Sequence, residues 1–76
     1  MEELKYTVIL EADENGCYIA TVPALKGCHS FGRTREEALQ RVREAIQLYL
    51  ECLAEDDRPF PPDIEVDALN VKIETA

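Results

Sequence analysis

The feature that most constrains this chain is an uninterrupted helical pattern past its middle. Apolar residues recur as Ala38, Leu39, Val42, Ala45, Ile46, Tyr49, Leu50 and Leu53, and at ~100° per residue they fill a stripe roughly 140° wide. Thr34-Arg35-Glu36-Glu37 opens the pattern as a capping box: the Thr34 hydroxyl can accept from the Glu37 amide while the Glu37 carboxylate reaches back. Glu36 and Glu37 also place negative charge at the positive end of the helix dipole. Glycine and proline are absent from about Arg35 to about Glu55, and Glu37 with Arg41 forms an i,i+4 pair. A helix with one apolar stripe must bury it against another element, which the flanking residues have to supply.

They read as strands. Leu4, Tyr6, Val8 and Leu10 alternate with Lys5, Thr7, Ile9 and Glu11, the period-two pattern of a strand with one buried face. Asn15-Gly16 then signals a hairpin, because both residues tolerate positive φ. Residues 17–22 form the returning strand, apolar on both faces, which implies that something covers the second face. Pro23 ends it, and Gly27 is the flexible point of the next turn. Residues 28–32 form a short third strand, with Gly32 marking a close backbone approach or a bend before the helix. Pro59, Pro61 and Pro62 enforce an extended path after the helix. Alternation resumes with Ile64 and Val66, slips in phase, and continues with Leu69, Val71 and Ile73, so a last strand is expected over residues 69–75. The fold class is α+β in the order β-β-β-α-β, one helix on a mostly antiparallel sheet, and residues 1–76 are expected to form a single domain.

Composition narrows function. The chain is 46% hydrophobic and 32% charged, a globular balance. Eight basic against 16 acidic residues give a net charge of -8, without the basic face that direct nucleic-acid binding requires. The acidity is spread: -2 over residues 1–34, -3 over 35–58 and -3 over 59–76. No apolar run is long enough to span a bilayer, and the start Met1-Glu2-Glu3-Leu4-Lys5 lacks the pattern of a secretion signal, so a cytoplasmic location is expected. Cys17, Cys28 and Cys52 are odd in number and irregularly spaced, which suits buried reduced thiols better than a disulfide framework. A zinc site from these cysteines and His29 lacks the tight local turn such sites use. No metal or other cofactor is expected. A metal nuclease would need convergent carboxylates, whereas Glu11 stands at a strand end and Glu44 and Glu51 lie on the polar side of the helix. His29 has no orienting partner. An enzyme is not expected.

Several pieces occur together in order: Tyr6-Thr7-Val8-Ile9-Leu10-Glu11, Asn15-Gly16-Cys17-Tyr18-Ile19-Ala20-Thr21-Val22-Pro23, Gly27-Cys28 with Ser30-Phe31-Gly32-Arg33-Thr34, Glu36-Glu37-Ala38-Leu39, Glu44-Ala45-Ile46-Gln47-Leu48-Tyr49-Leu50 and Phe60-Pro61-Pro62. This ordered set resembles the HicB antitoxin family from residue 4 to about residue 72. The resemblance implies a partly degraded RNase H-like fold of the same element order. It also implies an antitoxin of a type II toxin–antitoxin module, binding HicA, a small basic mRNA-cleaving toxin, and blocking its catalytic histidine. Many members of the family add a C-terminal DNA-binding domain. With Ala76 soon after the last expected strand, a short form without that domain is expected. Gly16, Pro23, Gly27, Thr34, Glu37 and Ala38, which carry much of the pattern, serve turns, caps and close packing rather than a reaction centre.

Two functions follow. In the first, the acidic chain sequesters a basic toxin. Long-range attraction would speed encounter, and the candidate contact acids are Asp13 and Glu14 at the hairpin and Asp63, Glu65 and Asp67 after the prolines. In the second, the chain is an orphan self-assembling domain without a toxin. Leu48 lies outside the apolar stripe near Cys52, and together they are the candidate contact of a homo-oligomer, a dimer or higher.

Overall fold

The computed structural model describes residues 3–75; Met1, Glu2 and Ala76, which belong to the terminal readings above, lie outside them. Asn15-Gly16 reverses the chain as expected, with Gly16 at φ 83°. The turn joins β1 (Ile9–Ala12) to β2 (Tyr18–Thr21) in the antiparallel register Ile9↔Thr21, Leu10↔Ala20, Glu11↔Ile19 and Ala12↔Tyr18. β3 (His29–Gly32) pairs on the other side of β2, with Ala20↔Ser30 and Ile19↔Phe31 in register, so the sheet order is β1-β2-β3. α1 (Arg35–Glu55) follows and lies across one face of the sheet.

Alternation along the strands decides what the helix covers. Leu10, Tyr18 and Ala20 point toward α1, where Ala20, Ala38 and Val42 are buried and Tyr6, Val8, Ala45, Ile46, Tyr49 and Leu50 pack around them. The stripe read from the sequence is therefore the stripe that is buried. The connection between β2 and β3 adds Leu25, fully buried, a core residue that no strand or helix periodicity marks. Its amide donates to the Val22 carbonyl at 3.1 Å and its carbonyl accepts from Cys28 at 3.0 Å, so the turn folds inward.

Both helix ends are capped. The Glu37 amide donates to Thr34 Oγ1 at 3.1 Å, while Glu37 Oε1 accepts from the Arg33 amide at 3.3 Å, one residue ahead of the usual capping-box partner. Gly32 sits so close to this first turn that an added Cβ would stand 2.6 Å from the Ala38 amide nitrogen. At the far end Asp57 adopts φ 54°, its amide donates to the Ala54 carbonyl and that of Arg58 to Leu53. This is a Schellman closure made without glycine.

The sequence reading needs one correction. The terminal strand expected over residues 69–75 does not form: residues 58–75 hold no regular element, and Leu69, Val71 and Ile73 are 83, 76 and 78% exposed. Alternation provides one apolar face, but a strand also needs an edge to donate to, and among the described residues the tail is bonded to the body only at its root. The shape records it. The radius of gyration is 15.7 Å and the longest axis 57 Å, against about 11 Å expected for a compact chain of this length.

Candidate protein-binding surface

Among the described residues nothing covers the sheet face opposite α1. Its residues follow from the register: Ile9 stands beside Thr21 and then His29, and Glu11 beside Ile19 and then Phe31. Ile9, Ile19 and Phe31 are 43, 40 and 64% exposed, giving a cross-strand apolar centre edged by Glu11. The two-sided hydrophobicity of strand two signalled this face in the sequence, although these three side chains were not among the candidate contacts. A patch of aromatic and β-branched residues with polar margins is the composition of a binding surface.

The five candidate acids do not form one site. Asp13 Oδ1 accepts from the amides of Asn15 at 2.8 Å and Cys17 at 2.9 Å, so this carboxylate fastens the turn. Glu14 beside it is exposed. Asp63 lies by Thr7, accepting from its amide at 3.0 Å and its hydroxyl at 2.7 Å. The Thr7 bonds hold the Asp63 carboxyl below the usual carboxylate range. Tyr6 alongside donates its hydroxyl to the Pro61 carbonyl at 2.6 Å, and burial, then the Asp63 charge, push its phenol upward. Six residues of near-extended chain separate Thr7 from Asp13, about 20 Å. Glu65 and Asp67 lie farther along the tail, both exposed, with Asp67 bonded locally to the Ala68 amide. Asp13, Asp63 and Asp67 thus accept hydrogen bonds within the chain, while Glu14 and Glu65 are exposed, and the five are spread over the turn and the tail.

Leu48 and Cys52, in contrast, are brought together. Both are exposed on one flank of α1 and line an open hollow of about 420 Å³ with Cys28, His29, Tyr49 and Arg58 among its other walls. Cys52 departs from the buried-thiol expectation because it lies beside the apolar stripe rather than in it. Cys28 is buried, which pushes its thiol up, and Cys17 is half-buried; all three are free. Among the described residues no three His, Cys, Asp or Glu side chains gather as a metal site, Glu11, Glu44 and Glu51 are each exposed, and no helix is long and apolar enough to cross a membrane.

A small three-stranded sheet with one helix across it, an uncovered apolar face and strong negative charge defines an acidic interaction module. Comparison with known proteins places it. Residues 6–76 match the family described as HicB-like antitoxin of bacterial toxin-antitoxin system, and the chain belongs to that family. Among relatives, Antitoxin HicB 1 of Photorhabdus laumondii is 31% identical over all of this chain, which spans half of that protein. A UPF0150 protein of Thermoplasma acidophilum is 47% identical over 79% of this chain and 87% of its own length, and one of Synechocystis is 48% identical over 90% and 87%. The crystal structure of the N-terminal domain of Burkholderia pseudomallei antitoxin HicB superposes with a TM-score of 0.64 at 32% identity, covering 83% of this chain and 69% of that one. The protein is accordingly an antitoxin of a toxin–antitoxin system, and its β-β-β-α order is that of the solved HicB domain.

Proposed function

We propose that this chain neutralises a small basic HicA-type toxin by covering the toxin's mRNA-cleaving surface, and that it does so in the cytoplasm without chemistry of its own. The observation that carries this reading is family membership over residues 6–76 in a chain of net charge -8. An RNA-cleaving toxin must present a basic surface to phosphates, and an acidic antitoxin competes for that surface. Charge accelerates encounter, while affinity comes from desolvated apolar contacts at the centre of an interface. Ile9, Ile19 and Phe31 provide such a centre, with Glu11 and Glu14 as its acidic margin. Asp13 and Asp63 act indirectly, by fixing the turn and the root of the tail. Glu65 and Asp67 extend negative charge beyond the body.

Co-expression with the small basic protein encoded next to this chain tests the reading. Co-purification and rescue from toxicity are expected, both weakened by Phe31→Asp. Failure to co-purify, or toxicity without rescue, removes it. Divalent-ion-dependent hydrolysis of RNA by the purified chain, abolished by substituting one carboxylate, would overturn the non-enzymatic part.

The exposure of Leu48 at 61% beside Cys52 favours a second reading, self-assembly through this flank of α1, with or without a toxin. Light scattering on Leu48→Lys tests it: an unchanged mass excludes the helix contact.

A further inference from the structure

The tail carries more apolar side chain than a solvated linker needs, and the body leaves a place for it. Ile64, Val66, Leu69, Val71 and Ile73 are all exposed. Their alternation breaks once, at residues 67–68, where one extra residue would bring both runs to the same face of a strand, as a β-bulge does. At residues 58–62 the prolines keep the approach extended, and at Asp63 two bonds to Thr7 fix its root at the start of β1. Beyond that point the hydrogen bond found among the described tail residues is the local Asp67–Ala68 contact. The tail is anchored, strand-like and unpaired.

The two rims of the sheet differ in what they offer it. On β3 the Arg41 guanidinium donates to the Phe31 carbonyl at 3.2 Å, so one outward acceptor of that rim is already taken by α1. On β1 the Asp13 amide donates inward to the Cys17 carbonyl at 2.8 Å. Antiparallel pairing alternates, so the amides of Glu11 and Ile9 also face β2 and those of Leu10 and Ala12 face outward. Among the described residues no side chain satisfies them. We propose that residues 64–73 form an exchanged strand that lies on the β1 rim of a second copy, whose own tail returns the contact to close a two-fold dimer.

A second copy is the occupant because it supplies the missing element in both directions: each chain has one unpaired strand and one free rim. The receiving rim is short, Ile9–Ala12, so it is the reciprocal exchange, two such contacts closed by one symmetry axis, that holds the pair. Reciprocal exchange also closes without further free partners. Each copy carries -8, so the two repel and added salt strengthens the pair rather than weakening it. The inference replaces the helix flank with the tail as the contact between copies, and it stands independently of the toxin.

Light scattering of the full chain, Val71→Pro, Ala12→Pro and Leu48→Lys, at low and moderate salt, tests it. Expected are a mass twice the 8.6 kDa of one chain for the wild type and Leu48→Lys, favoured by salt, and a single-chain mass for both proline variants. Val71 is outside the body, so Val71→Pro leaves the body folded and keeps the test valid if Ala12→Pro does not fold. A monomeric wild type overturns the exchange, because the tail then returns to its own β1 or stays free. A dimer untouched by Val71→Pro also overturns it. A dimer lost only in Leu48→Lys leaves self-assembly standing but moves it to the helix. Protection of residues 64–73 from hydrogen exchange only when toxin is added would overturn the second copy as occupant and assign the tail to the toxin.

Discussion

The first strand and the tail carry the same signal and meet different fates. Both alternate apolar with polar residues, yet residues 9–12 are paired and residues 64–73 are not. The difference lies in what comes next in the chain. β1 is followed by a tight turn that returns a partner within a few residues, so closing the loop costs little entropy. The tail follows a helix and three prolines, and among the described residues it is bonded to its own sheet only through Thr7, 56 positions back. Period-two patterning specifies a face; whether a strand exists depends on an available edge. Stability should follow the same division, high in the body and low in the tail.

That contrast can be broken or sharpened by substitution. The largest effect is expected for Leu25→Ala, which empties a fully buried site and should cost about 3 kcal/mol in denaturant unfolding. Leu69→Ala, its counterpart in the tail, should change the unfolding of the isolated body by less than about 0.5 kcal/mol; a larger loss would mean that the tail is part of the core. Gly32→Ala should cost about 2 kcal/mol, because the new Cβ meets the backbone of the first helical turn at 2.6 Å and backbone cannot move aside as a flexible side chain can. Asp57→Gly should raise stability by about 0.5–1 kcal/mol, relieving a left-handed conformation and removing a negative charge from the negative end of the helix dipole. Thermal unfolding reads that gain.

The smallest expected effect is local and pH-dependent. The folded Asp63 carboxyl titrates below its unfolded value, so its contribution is present above about pH 4. It is lost as pH falls through the lower folded value. Hydrogen exchange at the Thr7 amide should therefore show protection at neutral pH that disappears in acid, and Asp63→Asn should lessen that protection at neutral pH and remove its acid dependence. Protection unchanged by both would detach the tail root from β1.

Local chemistry was legible in the sequence wherever cause and effect lie a few residues apart. The Asn15-Gly16 turn, the Thr34–Glu37 cap, the apolar stripe and the tight contact at Gly32 all belong to that group. Asp13 could have been read too: an aspartate two residues before Asn15 is placed to bond the turn's own amides, which favours a structural over a surface role. Asp63 carried no such signal, since its partner Thr7 is 56 positions away. Leu25 was hidden because a turn has no period from which burial can be read. The missing terminal strand was hidden for the reverse reason, because periodicity reports the side chains and says nothing of the neighbour. The open face of the sheet was half visible: strand two showed apolar residues on both sides, but only the register places Ile9, Ile19 and Phe31 around one centre.

Arg41 has a consequence beyond its two contacts, one to Glu37 at 3.3 Å and one to the Phe31 carbonyl. A ribbon of hydrogen-bonding groups left open along both margins is a template that recruits copy after copy into fibrils. A guanidinium on the Phe31 carbonyl takes one acceptor from the β3 margin, so a strand arriving there meets a bond already made. The same arginine that steadies the start of the helix thereby makes the β3 margin the poorer template of the two.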